Sequence, residues 1–165
     1  MQYEIVTYPN KILEQKCEEV KLPLSSEEED LLNQMFNYLK NNPTAVGLAA
    51  PQFGVAKRLI AIRHKDLETG KTFCCKMVNP KIVSVSNTPY YVFDGESCLS
   101  EPELKIKVKR HKEILLSGYD TITKSKVTYR LSNFRAAIAQ HEVDHLNGIL
   151  LHMKEKEAQQ WVVEQ

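Results

Sequence analysis

Ser132-Asn133-Phe134-Arg135-Ala136-Ala137-Ile138-Ala139-Gln140-His141-Glu142-Val143-Asp144-His145-Leu146-Asn147-Gly148 is the stretch on which the fold turns. Ser132 is placed to cap a helix, Phe134 to Leu146 to fill it, and Gly148 to end it in the left-handed conformation. At about 3.6 residues per turn, His141 and His145 stack on one helical face. Phe134 and Ile138 continue that stripe, so both histidines are expected to point into the core. Two imidazoles so placed can bind one divalent ion, and Glu142, rotated by about 100°, can reach a water held there. The bland alternative is two core histidines satisfied by backbone carbonyls. Two of them at this spacing, flanking a glutamate on a buried face, make it the weaker reading.

Working outward, Ser25 or Ser26 can cap an earlier helix, with Glu28 or Glu29 completing a capping box. Leu31, Leu32, Met35, Phe36 and Leu39 recur at helical spacing, and Asn41-Asn42-Pro43 stops the run. The middle of the chain is strand-like: Arg58 to Ile62, Thr72 to Met77, Lys81 to Val85 and Tyr90 to Phe93 are short β-branched or aromatic runs. Glu68-Thr69-Gly70-Lys71 reads as a hairpin turn between the first two. Leu104 to Lys109 alternates an apolar face with a lysine face, the usual look of a solvated or edge-protecting strand. Glu113 to Ser117 and Lys126 to Leu131 form a second hairpin across Asp120 to Ser125. Met153 to Gln165 is a weaker helical segment anchored by Trp161. The expected fold is therefore α+β, one domain over residues 1–165. Mostly antiparallel sheets surround a central helix that bears the two histidines, with an N-terminal helix and a short C-terminal one.

Composition excludes several classes. The chain has 165 residues, 22 Lys+Arg against 21 Asp+Glu, 42% hydrophobic and 26% charged residues. A net charge of +1 lacks the basic excess that general nucleic-acid or membrane-surface binding needs. The apolar content is too high for disorder, and no apolar run is long enough to span a bilayer. The N-terminus has no leader pattern, so the expected compartment is the cytoplasm. Cys17, Cys74, Cys75 and Cys98 are expected to be free or on a metal, in a reducing compartment.

Two histidines leave a tetrahedral ion with an open site one protein ligand short. Cys98, in Glu96-Ser97-Cys98-Leu99-Ser100 just after a strand, is the better candidate, and His152, Glu155 and Glu157 are the others. Alone, a cysteine is most often a small buried hydrophobe. Gly47-Leu48-Ala49-Ala50-Pro51-Gln52-Phe53-Gly54 is a small-residue loop that lets a ligand approach the backbone, and Gln52 brings an uncharged amide able to donate to a developing oxyanion. Without function, it is a simple turn between helix and strand.

Together the loop, the cysteine turn and the Gln140-His141-Glu142-x-x-His145 helix resemble the peptide deformylase family, whose motifs occur in this order. The resemblance extends from Tyr8-Pro9 to Gly148, almost the whole chain. It implies an α+β metal-dependent amidase that removes the formyl group from N-terminal formyl-methionine. By position it implies Cys98, His141 and His145 as metal ligands, with water in the open site, and Glu142 as general acid/base. The Leu99 N–H and the Gln52 amide become the donors to the formyl oxygen. Val46, Gly47, Ala137 and Ile138 bound the methionine pocket or pair with the substrate backbone, and Glu96, Arg110 and Asp144 orient the ligands.

The implied cofactor is one divalent ion per chain, natively Fe²⁺, with Zn²⁺, Ni²⁺ or Co²⁺ able to substitute. The implied partners are formyl-methionyl nascent peptides, met close to the ribosome by a monomeric chain that binds neither nucleic acid nor membrane directly. Ala45 and Ser97 replace family glycines without removing a chemical group. Glu101, where the family is apolar, and Lys105, where it carries Arg, are expected to bear on which residues after methionine are preferred. Two rival readings are a zinc endopeptidase, in which Cys98 and Gln52 have no role, and an inactive relative that only binds formylated peptides or docks on ribosomes. Retention of Glu142 and Gln52 weighs against the second.

Overall fold

The computed structural model of the chain describes residues 2–154. Helix α1 spans Ser26–Asn41 and starts as expected: Ser25 Oγ accepts the Glu28 N–H at 3.1 Å while Glu28 Oε1 accepts the Ser25 N–H at 2.9 Å. The strands are β1 (Gly47–Ala49), β2 (Leu59–Lys65), β3 (Thr72–Val85), β4 (Pro89–Tyr90), β5 (Glu96–Cys98), β6 (Glu101–Ile106), β7 (Arg110–His111), β8 (Glu113–Asp120) and β9 (Ser125–Ser132). Helix α2, Asn133–Leu146, follows β9 without a break. A five-stranded antiparallel sheet runs in the order β1-β2-β3-β8-β9, and β4-β7 and β5-β6 form separate two-stranded sheets.

The strand β2 shows how the layers are built. Its Leu59 and Ala61 join Leu31, Leu32, Met35 and Leu39 of α1 in one apolar cluster. The alternate residues Ile60 and Ile62 join Ala136, Ile138, Ala139, Val143 and Leu146 of α2 in another. The five-stranded sheet therefore lies between the helices, and a strand buried on both faces reads as a continuous apolar run. Gly148 ends α2 at φ +73°, its N–H donating to His145 O at 3.1 Å. A Cβ there would lie 2.5 Å from Glu14 O, so glycine serves both the left-handed cap and the close approach of the N-terminal segment.

Several sequence expectations are corrected. Thr72 to Met77 and Lys81 to Val85 are one strand, β3, because Asn79-Pro80 bulges it without ending it: the register to β8 shifts between Val78 and Lys81, with Asn79 at φ +53°. The Asn79 side chain holds the bulge by accepting the Val20 N–H and donating to Val20 O, both at 2.8 Å. The run Tyr90 to Phe93 pairs only at its start. Gly95 N–H donates to Val92 O at 2.9 Å, closing a turn that leaves Phe93 85% exposed. Of the run Leu104 to Lys109 only Leu104 to Ile106 is strand, the end of a β6 that begins at Glu101. The small-residue loop is strand β1 followed by a 3-10 turn over Ala50–Phe53, since a partner strand distant in sequence, β2, supplies its ladder. Ser132 occupies the cap position of α2, but its side chain makes no capping bond. Leu151–Lys154 form a 3-10 turn, and Trp161 lies outside the described residues. No helix among the described residues is long and apolar enough to cross a membrane.

Candidate active site

The sheet β5–β6 carries Cys98 at the end of β5, and the last turns of α2 carry His141, Glu142 and His145. One donor atom from each of Cys98, His141 and His145 lies within 4.8 Å of the others. Cys98 Sγ is 3.4 Å from His145 Nε2. Ligands at ordinary Zn–S and Zn–N lengths in a tetrahedron stand about 3.6 Å apart, close to the Cys98–His145 separation, so this donor set can hold a divalent ion. Among the earlier candidates for the third ligand, His152 is turned to Glu101, and Glu155 and Glu157 lie outside the described residues.

Behind the ligands runs a buried chain of charges. His141 Nδ1 is 3.0 Å from Glu96 Oε1. Arg110 donates to both oxygens of Glu96, at 2.9 and 2.8 Å, and to Asp144 at 2.6 Å. Burial works against the charge of Glu96, but hydrogen bonds from His141 and Arg110 outweigh it and hold the carboxyl near 2. A carboxylate only accepts, so the His141 Nδ1 carries the proton and Nε2 is the ring nitrogen left for a ligand. Burial disfavours charge on both imidazoles. At His141, hydrogen bonds to Cys98 and Glu96 overcome it, whereas His145 is kept neutral by burial and by its charged neighbour.

Removing Arg110 would take the guanidinium from Glu96 and Asp144, whose side chains are 6% and 20% exposed, leaving His141 beside the first and Lys154 4.0 Å from the second. Arg110→Met is expected to cost about 3–5 kcal/mol in denaturant unfolding of the metal-free protein, and Arg110→Met with Glu96→Gln distinctly less.

Glu142 is buried and is not in the ligand cluster. Burial pushes its carboxyl up to about 7, and its Oε1 has no partner among the described residues. Gly47 makes room for it: a Cβ on Gly47 would lie 2.6 Å from Glu142 Oε2 and 2.9 Å from Ile138 Cγ2. Gly47→Ala is therefore expected to displace the carboxylate and lower kcat by about tenfold or more with the ligands untouched, as turnover and metal content measured together will report.

Gln52, 2% exposed, is oriented by its neighbours. Its Oε1 accepts the Ala49 N–H at 3.0 Å, and its Nε2 donates to Ser100 Oγ at 3.2 Å and approaches Cys98 Sγ at 3.8 Å.

A cavity of about 430 Å³ opens onto these groups. Val46, Gly47, Ala137 and Ile138 line it as expected, with Gln52, Glu96, Cys98, Leu99, His141 and Glu142. Arg110 and Asp144 do not reach it. Thr44, Val92 and Pro102 line it without having been singled out in the sequence, and Phe134 lines it having been read only as part of the buried helical stripe. Phe134 sits on the Ile138–His141 stripe and was legible there, while the others carry no periodic signal. Lys105 pairs across strands with Ser97 but is not in the lining, and Glu101 turns away altogether. The Glu101 carboxylate is instead bound by His152.

The sequence pattern of the polypeptide deformylase family matches residues 2–161. The chain belongs to that family. A peptide deformylase of Oceanobacillus iheyensis is 36% identical over 159 residues, 89% of this chain and 86% of that one. Peptide deformylase 2 of Bacillus subtilis is 37% identical over 160 residues, 90% of this chain and 86% of that one. Among solved structures, a probable peptide deformylase from Synechococcus phage S-SSM7 superposes with a TM-score of 0.80 at 35% identity, over 93% of this chain and 99% of that one. A Met-Ala-Ser-bound class I type b peptide deformylase from Acinetobacter baumannii gives 0.80 at 27% identity, over 93% and 98%. As a deformylase the chain is a hydrolase that takes the formyl group from the N-terminus of newly made polypeptides. The endopeptidase reading, which left Cys98 idle, fails on both the family and the convergence of Cys98 with the histidines.

Proposed function

We propose that residues 1–165 act as one domain built around the histidine-bearing α2, and that its cavity holds the formyl-methionine end of a nascent peptide. The observation that carries this reading is the convergence of Cys98, His141 and His145 beside the buried, unpartnered Glu142 carboxylate. A divalent ion held by the three ligands would supply Lewis-acid activation of water and of the formyl oxygen. Val46, Gly47, Ala137 and Ile138 receive the methionine side chain and align the peptide backbone. Glu142 takes a proton from the attacking water and returns it to the leaving amine. Burial raises its carboxyl above the ordinary range, which favours its holding the proton between the two transfers.

The Ala49 N–H, by binding Gln52 Oε1, turns the Gln52 amide nitrogen toward the cysteine turn, where with the Leu99 N–H it steadies the developing charge on the formyl oxygen. Gln52→Leu should lower kcat about 10²–10³-fold with KM little changed, the mark of a donor that acts in the transition state. A change in KM alone would make it a substrate-binding group. Glu96, Arg110 and Asp144 fix the His141 ring.

We further propose Fe²⁺ as the native ion, a monomeric state, and work in the cytoplasm on chains leaving the ribosome. A mixed nitrogen and thiolate set also accepts Zn²⁺, Ni²⁺ and Co²⁺, and affinity order does not choose among them. The test is formate release from formyl-Met-Ala by anaerobically purified protein of measured metal content. Formate without cleavage of an internal peptide bond in a protein substrate is expected. Cleavage without formate would overturn the reading, and binding without either would favour an inactive relative.

A further inference from the structure

Glu101 is a buried carboxylate that the deformylase reading leaves unused. It is 8% exposed, opposite Cys98 in the β5–β6 ladder. Its Oε1 accepts the His152 backbone N–H at 3.2 Å, and its Oε2 lies 2.7 Å from His152 Nδ1. The His152 ring packs against Tyr8, centroids 4.7 Å apart, and the Tyr8 N–H donates to Ser100 O at 2.9 Å. Ser100 Oγ in turn accepts from Gln52. One residue along from His152, Leu151 shares a small apolar cluster with Cys98 and Val108.

These contacts close a ring through the N-terminal segment, the 3-10 turn Leu151–Lys154 and the turn that presents Cys98. That turn needs an outside anchor. It belongs to a two-stranded sheet whose register shifts between Ser97 and Cys98, and an isolated two-stranded sheet is marginal by itself. A carboxylate accepting two hydrogen bonds from one residue is a strong, directional tie.

We propose that Glu101 and His152 form a positioning pair that sets where the Cys98 thiolate and the Ser100–Gln52 contact stand relative to α2. Neither touches substrate, and both act through the turn. The inference rests on the ligand roles proposed above.

Three variants test it: Glu101→Ala, His152→Ala and Glu101→Gln. In metal-free protein, the alkylation rate at Cys98 is followed by peptide mass, with fully buried Cys75 as the internal control. In Co²⁺-loaded protein, release of cobalt to a chelator is timed. Both alanine variants should alkylate faster at Cys98 with Cys75 unchanged, and lose cobalt about tenfold faster or more, as groups supporting metal ligands do. Glu101→Gln should restore much of both, because its oxygen accepts the backbone N–H and its NH₂ donates to the other tautomer of His152. The double alanine variant should be no worse than either single one.

Unchanged Cys98 rates in both alanine variants would overturn the proposal, as would equal acceleration at Cys98 and Cys75, which marks general loosening. If Glu101→Ala does not fold, His152→Ala decides alone, its side chain being 35% exposed. Absence of formate release by the parent protein would strike the deformylase reading, while the alkylation comparison would still judge the pair.

Discussion

Glu142→Ala protein should bind its metal ion in full and turn over at least about 10⁴ times more slowly than the parent, the upper end of what a single acid/base group supplies. Glu142 stands outside the ligand cluster, so its removal leaves all three donors in place. What disappears is, among the described residues, the only carboxylate lining the cavity besides Glu96, and Glu96 is committed to Arg110 and His141. On the proposed mechanism, no other carboxylate of the described lining is free to take over the proton transfer. Glu142→Gln sharpens the test, since it keeps the shape beside Gly47 and loses only the ability to carry the proton. Formate release and elemental analysis on the same samples give the answer. Loss of the ion with the carboxylate would make Glu142 a ligand and overturn its role.

Cys98→Ala should produce a comparable loss of turnover from the opposite cause. With the thiolate gone, two imidazoles remain, a set that leaves a tetrahedral ion half supported by protein. Metal content after dialysis should fall to a small fraction of the parent's, and activity below detection with it. The pair of variants separates chemistry from coordination: equal rates, contrasting metal content. A Cys98→Ala protein that retains its ion and its activity would remove the cysteine from the site.

Much of this architecture was legible because it is local. The capping box of Ser25 and Glu28, the apolar stripe of α1, the hairpin of β8 and β9 and the glycine stop at Gly148 all rest on neighbours a few residues away. The histidine spacing of α2 is local too, and it located the site. What escaped depends on contacts distant in sequence. Asn79-Pro80 reads as a strand break, and only Val20, brought in from the N-terminal segment, converts it into a bulge. Gly47–Ala49 reads as a loop until β2 supplies its ladder. The pairing of Glu101 with His152, 51 residues away, has no local signal either. Position after a strand favours Cys98 over the other third ligands, but one cysteine carries little information of its own, and family resemblance strengthens the assignment.

The ligands come from two elements, the β5–β6 sheet and α2, that meet only when the chain is folded. An unfolded chain has no such cluster to offer, so ion binding and folding draw on the same equilibrium. Each tenfold excess of free ion over its dissociation constant adds about 1.4 kcal/mol to the stability of the folded state. The melting temperature of this protein is thus a gauge of metal supply. Cells starved of the ion would lose the enzyme by unfolding and turnover as well as by idleness, and sensitivity to proteolysis would report the shortage.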